Sequence, residues 1–170
     1  DYKTFFFDSV RNQPDAVFHN ADIYPDAYDE VNAVTYSATD DSVTIPDRLI
    51  PADRSYRLNR FIFRVISEWP LGKAFRQHVV DPWIFRGEPV TWRNYEASYD
   101  VAELEPASRE SASYVLQEYF VPVERFDEFI PRMRDIFQLH DVNVINVSIR
   151  HARPDPGTLL AWAKTEVFAF

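Results

Sequence analysis

Tyr114-Val-Leu-Gln-Glu-Tyr-Phe-Val-Pro122 and Val142-Asn-Val-Ile-Asn-Val-Ser-Ile-Arg-His151 decide how this chain is read. The first run is aromatic and β-branched and is closed by proline, which predicts a strand over 114–121. Between the two, Phe126, Phe129, Ile130, Met133, Ile136 and Phe137 recur at steps of three and four, the spacing of one apolar helix face. The last run alternates. Ile145, Val147 and Ile149 point one way, and Asn146, Ser148 and Arg150 point the other. Two strands joined by a helix within one sheet run parallel through a right-handed crossover. The helix then covers the face carrying Ile145, Val147 and Ile149. The opposite face must look at something polar: solvent, another domain or a ligand.

Outward from this unit, residues 16–24 alternate Val17, His19, Ala21 and Ile23, and 31–39 supply a second strand. The acidic stretch 26–30 joins them into a hairpin with a longer loop. Residues 1–13 predict a short helix with Tyr2, Phe5, Phe6 and Val10 on one face, stopped by Pro14. Residues 165–170 predict a last strand, antiparallel to its predecessor. The loop before it, with Trp162 and Lys164, is placed to cap the polar sheet face. The segment 43–53 is expected to be irregular, 89–100 to be loop or short strand, and 101–113 to be a polar connector. The expected class is α+β, close to ferredoxin-like: an antiparallel or mixed sheet of four or more strands, helices on one face, and a helical insertion.

That insertion, 54–93, differs in character. Arg54, Arg57, Arg60, Arg64, Lys73, Arg76, Arg86 and Arg93 face only Glu68, Asp81 and Glu88. The segment therefore carries +5 within a chain of net charge −9, which leaves −14 for the remainder. Leu58, Phe61, Ile62, Val65 and Trp69 give it helical spacing, Pro70 breaks it, and a weaker helical stretch follows to about Val80. Core packing with snorkelling arginines, docking to another domain, and peripheral contact with an anionic membrane through 54–69 all fit such a helix.

Composition sets bounds. A chain of 170 residues fits one domain, with room for an insertion, and 46% hydrophobic residues suffice for a sizeable core. The acidic balance argues against nucleic acid as a partner. Only three glycines argue against a Gly-rich phosphate loop. The absence of cysteine excludes disulfides, thiol catalysis and Cys-based metal sites. It also fits a reducing compartment, and the expected location is cytoplasmic, with membrane association only as one of the three readings of the basic helix. No apolar run approaches the ~20 residues of a membrane span. The first residue is Asp1, and Glu166-Val-Phe-Ala-Phe170 reads as a strand cut in the middle. The expectation is a fragment of a longer protein, a single domain over 1–170.

The histidines show no paired metal-ligand spacing, and no metal is expected. His19 and Asp22 lie close in sequence, but a strand with one polar face explains them. Glu103 and Glu105 fall in the connector and carry no acid–base pattern. The polar strand face is the better candidate. Arg150 is a cation on a rigid sheet, with Asn146 and Ser148 beside it, and Gln117, Glu118 and Tyr119 are expected on the adjacent strand. The competing reading is an ordinary solvated or interdomain surface.

Gln117-Glu-Tyr-Phe-Val-Pro122, the amphipathic helix, and Val147-Ser-Ile-Arg-His151 with its acidic turn resemble the cap region of FAD-linked oxidases of the vanillyl-alcohol oxidase / p-cresol methylhydroxylase class. The likeness is to the aldonolactone and alditol oxidase branch. It is best over 114–170. Phe18-His-Asn-Ala-Asp-Ile-Tyr-Pro25 and Trp92-Arg-Asn-Tyr-Glu96 are looser matches. The resemblance implies a substrate or cap domain, with FAD held mainly by another domain of the same polypeptide and a small hydroxylated molecule as substrate. It implies a catalytic role for Arg150 and substrate contacts from Asn146, Ser148, Glu118 and Gln117, with no cofactor-binding residue in this chain. Alditol-oxidase-like members pair that arginine with a glutamate two residues before it. Ser148 stands there instead, which puts polyol specificity in doubt and points to a different alcohol or a reductase-type substrate. The alternative function is a non-catalytic ferredoxin-like binding domain.

Overall fold

A computed structural model describes residues 1–99, 106, 108–110 and 113–170. The chain forms two compact units, one of residues 1–38 and 117–170 and the other of residues 39–116.

The first unit is α+β. Its helix α1 (Tyr2–Phe5) runs on into a wider π turn, Phe6–Val10. Strands β1 (Ala16–Ile23) and β2 (Val31–Ser37) form the expected antiparallel hairpin. Two residues of β1 oppose one of β2 between Ala16 and Phe18, a bulge that takes Val17 out of the alternation and leaves it exposed. In the hairpin loop Asp26 and Tyr28 adopt positive φ. Strand β3 is only Phe120–Pro122. The strand expected over 114–121 is thus much shorter, although Tyr119 and Phe170 exchange both backbone hydrogen bonds and extend the pairing by one residue. Helix α6 (Phe126–Leu139) follows, then β4 (Val147–Ala152) and β5 (Val167–Ala169).

The sheet order is β2-β1-β4-β5-β3, and every neighbouring pair is antiparallel. Because β3 and β4 each run antiparallel to β5, they are parallel to one another. The β3-α6-β4 unit is therefore a split β-α-β with β5 inserted in the gap. Both helices lie on one face. Tyr2 and Phe6 from α1 and its extension, and Phe126 from α6, all meet the ring of Phe168, which is 0% exposed at the centre of β5. Val10, Ala21, Ile23, Tyr28, Val121, Met133, Val147, Ile149 and Phe170 belong to the same core. Ile136, placed on the buried face by its spacing, sits at its edge and is exposed.

The second unit contains α2 (Arg57–Glu68), α3 (Gly72–Phe75) with a π turn at Arg76–Val80, α4 (Asp81–Ile84) and α5 (Arg93–Ala97). The basic segment 54–93 is helical as expected, but the unit holding it is wider. Helix α5 falls where loop or short strand was expected. Gly72 sits against α2 so closely that a Cβ there would lie 2.2 Å from the Val65 carbonyl oxygen. Of the predicted connector 101–113, residues 101–105, 107, 111 and 112 lie outside the described residues.

Candidate functional site on the open sheet face

The alternation read from 145–150 holds within β4, over 147–150; before the strand it is Val144, not Ile145, that packs against the core. Val147 and Ile149 are buried on the helix side, while Ser148 and Arg150 stand on the other. Strand β1 lies beside them with Asp22 opposite Ser148 and Ala21 opposite Ile149. This register sets Asn20 and Asp22 next to the predicted residues. Asn146 Nδ2 donates to Asp22 Oδ1 at 3.0 Å, Asn20 Nδ2 reaches the same oxygen at 3.5 Å, and Arg150 Nε donates to Asn20 Oδ1 at 3.4 Å. Asp22 thus holds two amides, and one of them steadies the guanidinium. Arg150 is exposed and makes no ion pair among the described residues.

Aromatic pairs flank this strip. On the hairpin side, Phe18 and Tyr36 are cross-strand partners with rings 5.8 Å apart. On the other side, Arg150 pairs with Ala169, and Ala169 with Phe120. Trp162 stands edge-on to Phe120 at 4.7 Å, so the loop before β5 does reach this face.

Asn146, Ser148 and Arg150 are brought together as expected. Glu118 and Gln117 are not. Their strand is not adjacent to β4, because β5 lies between. With neighbouring strands roughly 4.8 Å apart, Glu118 is about two strand spacings from the Arg150 strip. Gln117 accepts a hydrogen bond from the Tyr119 hydroxyl at 2.7 Å, and that ring packs on Phe129 of α6, so Gln117 belongs to the helix side. Asn20 and Asp22 fall on the strand read as having one polar face, but nothing in the sequence placed that face beside Arg150.

The helix face holds its own polar groups. His151, next to Arg150 in sequence, points inward among Phe6, Phe7 and Phe168. Its Nε2 lies 2.8 Å from Glu166 Oε1, which also accepts from Arg11 at 2.9 and 3.1 Å. Burial holds the His151 pKa below its ordinary value, against a smaller opposing pull from Glu166. Burial alone would raise Glu166, but hydrogen bonds from Arg11 and His151 outweigh it and hold its carboxyl low. His19 lies between Thr35 Oγ1 at 2.8 Å and the Tyr2 hydroxyl at 3.1 Å, and burial lowers its pKa as well. His19 and Asp22 are on opposite faces and share no site. A cleft of about 260 Å³ opens on the helix side between the hairpin and α6, lined by Tyr28, Asp29, Ile130 and Pro131 among others.

No family model, curated protein or solved structure matches this chain.

Proposed function

We propose that this chain is the substrate-binding cap domain of an FAD-dependent oxidoreductase acting on a hydroxylated small molecule such as a sugar lactone or polyol. The observation that supports it is the strip of Asn20, Asp22, Asn146, Ser148 and Arg150 on the side of the sheet away from the helices. The three glycines are scattered and none has positive φ, so the chain offers no glycine-lined phosphate cradle of its own. FAD would be held by a separate domain of the same polypeptide, and when bound it accepts the hydride. Arg150 would orient a substrate hydroxyl and stabilise negative charge developing on its oxygen. Ser148 and Asn146 would hydrogen-bond the substrate, and Asn20 would keep the guanidinium in place. Glu118 and Gln117 have a weaker claim, being outside the strip.

The test uses the full polypeptide. Its absorption spectrum as purified should show bound flavin, and a folded, flavin-free protein would sink the proposal. With a hydroxylated compound that reduces the flavin anaerobically, Arg150→Ala should slow reduction on the order of a hundredfold. An unchanged rate would remove Arg150 from the site. A second reading, a non-catalytic ferredoxin-like interaction domain, is favoured by one fact: the described cleft opens on the opposite face from Arg150.

A further inference from the structure

The cleft between the hairpin and α6 lies wholly within the first unit. Its floor is the sheet, at Ile23 and Ile149, and both are buried. Val31 of β2 stands on one side, and Ile130 and Pro131 of α6 stand on the other. The two sides are tied together. Gln138 Nε2 of α6 donates to the Asp26 carbonyl of the hairpin loop at 2.8 Å, and the Tyr28 and Phe137 rings lie 5.9 Å apart. Lys3 pairs with Asp127, which joins α1 to the start of α6. The volume is about 260 Å³. Apolar cavities of about 150 Å³ take benzene, so this cleft has room for an aromatic ring with a short chain attached.

The polar residues of its walls are of one kind. They are Tyr2, Tyr28, Asp29 and Asp127, and among the described residues no lysine, arginine, histidine or side-chain amide lines the cleft. Burial pushes the Tyr2 pKa up and, with help from Asp26, pushes that of Tyr28 up to about 12, so both hydroxyls are neutral and the charge rests on the carboxylates. Asp127 is already matched by Lys3. Asp29 is exposed, and its carboxylate has no hydrogen bond or ion pair among the described residues. The backbone adds another acceptor. In an α-helix each N–H donates to the carbonyl four residues back. Pro131 sits inside α6 and has no N–H, so the Asp127 carbonyl lacks its ladder donor. Asp127 and Pro131 both line the cleft, which puts that carbonyl on its wall.

We propose that this cleft binds a small organic amine, a protonated primary amino group on an apolar body. An ammonium has three N–H donors and no acceptor, which complements walls that offer acceptors. The Asp29 carboxylate meets its charge, and the Asp127 carbonyl takes a second N–H. The apolar body covers Ile23 and Ile149 between Val31 and Ile130. An anionic ligand meets no cation among the lining residues, and a neutral alcohol leaves the Asp29 charge unmatched. The cleft and the Arg150 strip are on opposite faces of the sheet, so the proposal does not depend on the flavoenzyme reading.

The experiment is a ligand-observed NMR titration of the full polypeptide at pH 7 and low ionic strength. The probe is phenethylamine, compared with phenethyl alcohol, phenylacetate and ethylamine. Phenethylamine should bind saturably with a Kd of about a millimolar or tighter. The alcohol, which lacks the charge, and ethylamine, which lacks the ring, should each bind at least about tenfold more weakly, and phenylacetate weaker still. Asp29→Asn should weaken phenethylamine binding on the order of tenfold and leave that of the alcohol unchanged. Val31→Phe, which fills the cleft from an edge strand, should weaken both. Both positions are exposed, and thermal melts check that the variants remain folded. If Val31→Phe unfolds, Asp29→Asn and the ligand comparison decide. The inference is overturned by the absence of saturable phenethylamine binding, by equal affinity for the alcohol, or by binding indifferent to a substitution that leaves the protein folded. Equal affinity for ethylamine would also overturn it, since that is diffuse attraction to a chain of net charge −9.

Discussion

The two faces of the sheet are made by alternate residues of the same strands, and they hold polar groups in opposite ways. Arg150 and His151 are neighbours on β4. The first is exposed and leans on one amide at 3.4 Å, while the second lies among three phenylalanine rings and is bonded to a carboxylate already held by Arg11. On the helix face a polar group must be paired, because an unpaired one would lose water without compensation. On the open face water supplies whatever the protein does not, so a side chain there is free to be chosen for a partner outside the unit.

This contrast is tested first at its apolar centre. Phe168→Ala should cost about 3–5 kcal/mol in urea unfolding, because it opens a cavity where both helices meet the sheet. A loss below about 1 kcal/mol would mean that the helix face is not the core.

The next effect concerns the paired polar groups. Glu166→Ala should cost about 1–3 kcal/mol, since it leaves His151 and Arg11 without their shared acceptor. The same groups give a pH signature. The His151 and His19 pKa values lie below the ordinary value of about 6.5, so the unfolded chain binds those protons more readily. Their contribution is complete above that value and is lost as pH falls below it. Glu166, also held low, adds a second loss below about pH 4.3. The urea midpoint should therefore fall between pH 7 and pH 5, and His151→Phe should flatten that slope. A slope unchanged in His151→Phe would exclude this histidine as its source.

The smallest effect belongs to the open face. Arg150→Ala should change stability by no more than about 0.5 kcal/mol, because its side chain is exposed and its hydrogen bond to Asn20 is long. A larger loss, seen as a shifted urea midpoint, would show that Arg150 supports the fold and erase the contrast with His151.

Much of the first unit was legible because it rests on local periodicity. The two-residue alternation at 147–150, the three-and-four spacing from Phe126 to Phe137 and the hairpin of β1 and β2 each follow from sequence neighbours. What escaped is set at a distance. Residues 114–118 have the composition of a strand, but a strand needs a hydrogen-bonding neighbour. That neighbour, Val167 to Phe170, faces only Tyr119 to Pro122. For the same reason Glu118 and Gln117 were placed beside Arg150. Nothing in residues 114–151 announces that β5 will enter between β3 and β4. Asn20 and Asp22 were visible as the outward residues of β1, but the pairing of β1 with β4 joins residues more than a hundred positions apart. The short helix at Arg93–Ala97 has too few residues for a period to emerge.

The position of β5 also bears on how the molecule assembles. Among the described residues, strand β3 is joined to the rest of the sheet only through β5, which follows the other strands in sequence. During synthesis the hairpin and β4 have partners as soon as they emerge, whereas β3 and the helix packed above it wait for Val167–Ala169. Until then β4 presents an unpaired edge beside an unfilled groove under α6. Such an intermediate is exposed to wrong pairing, and the closing step joins the middle of the sheet rather than its rim.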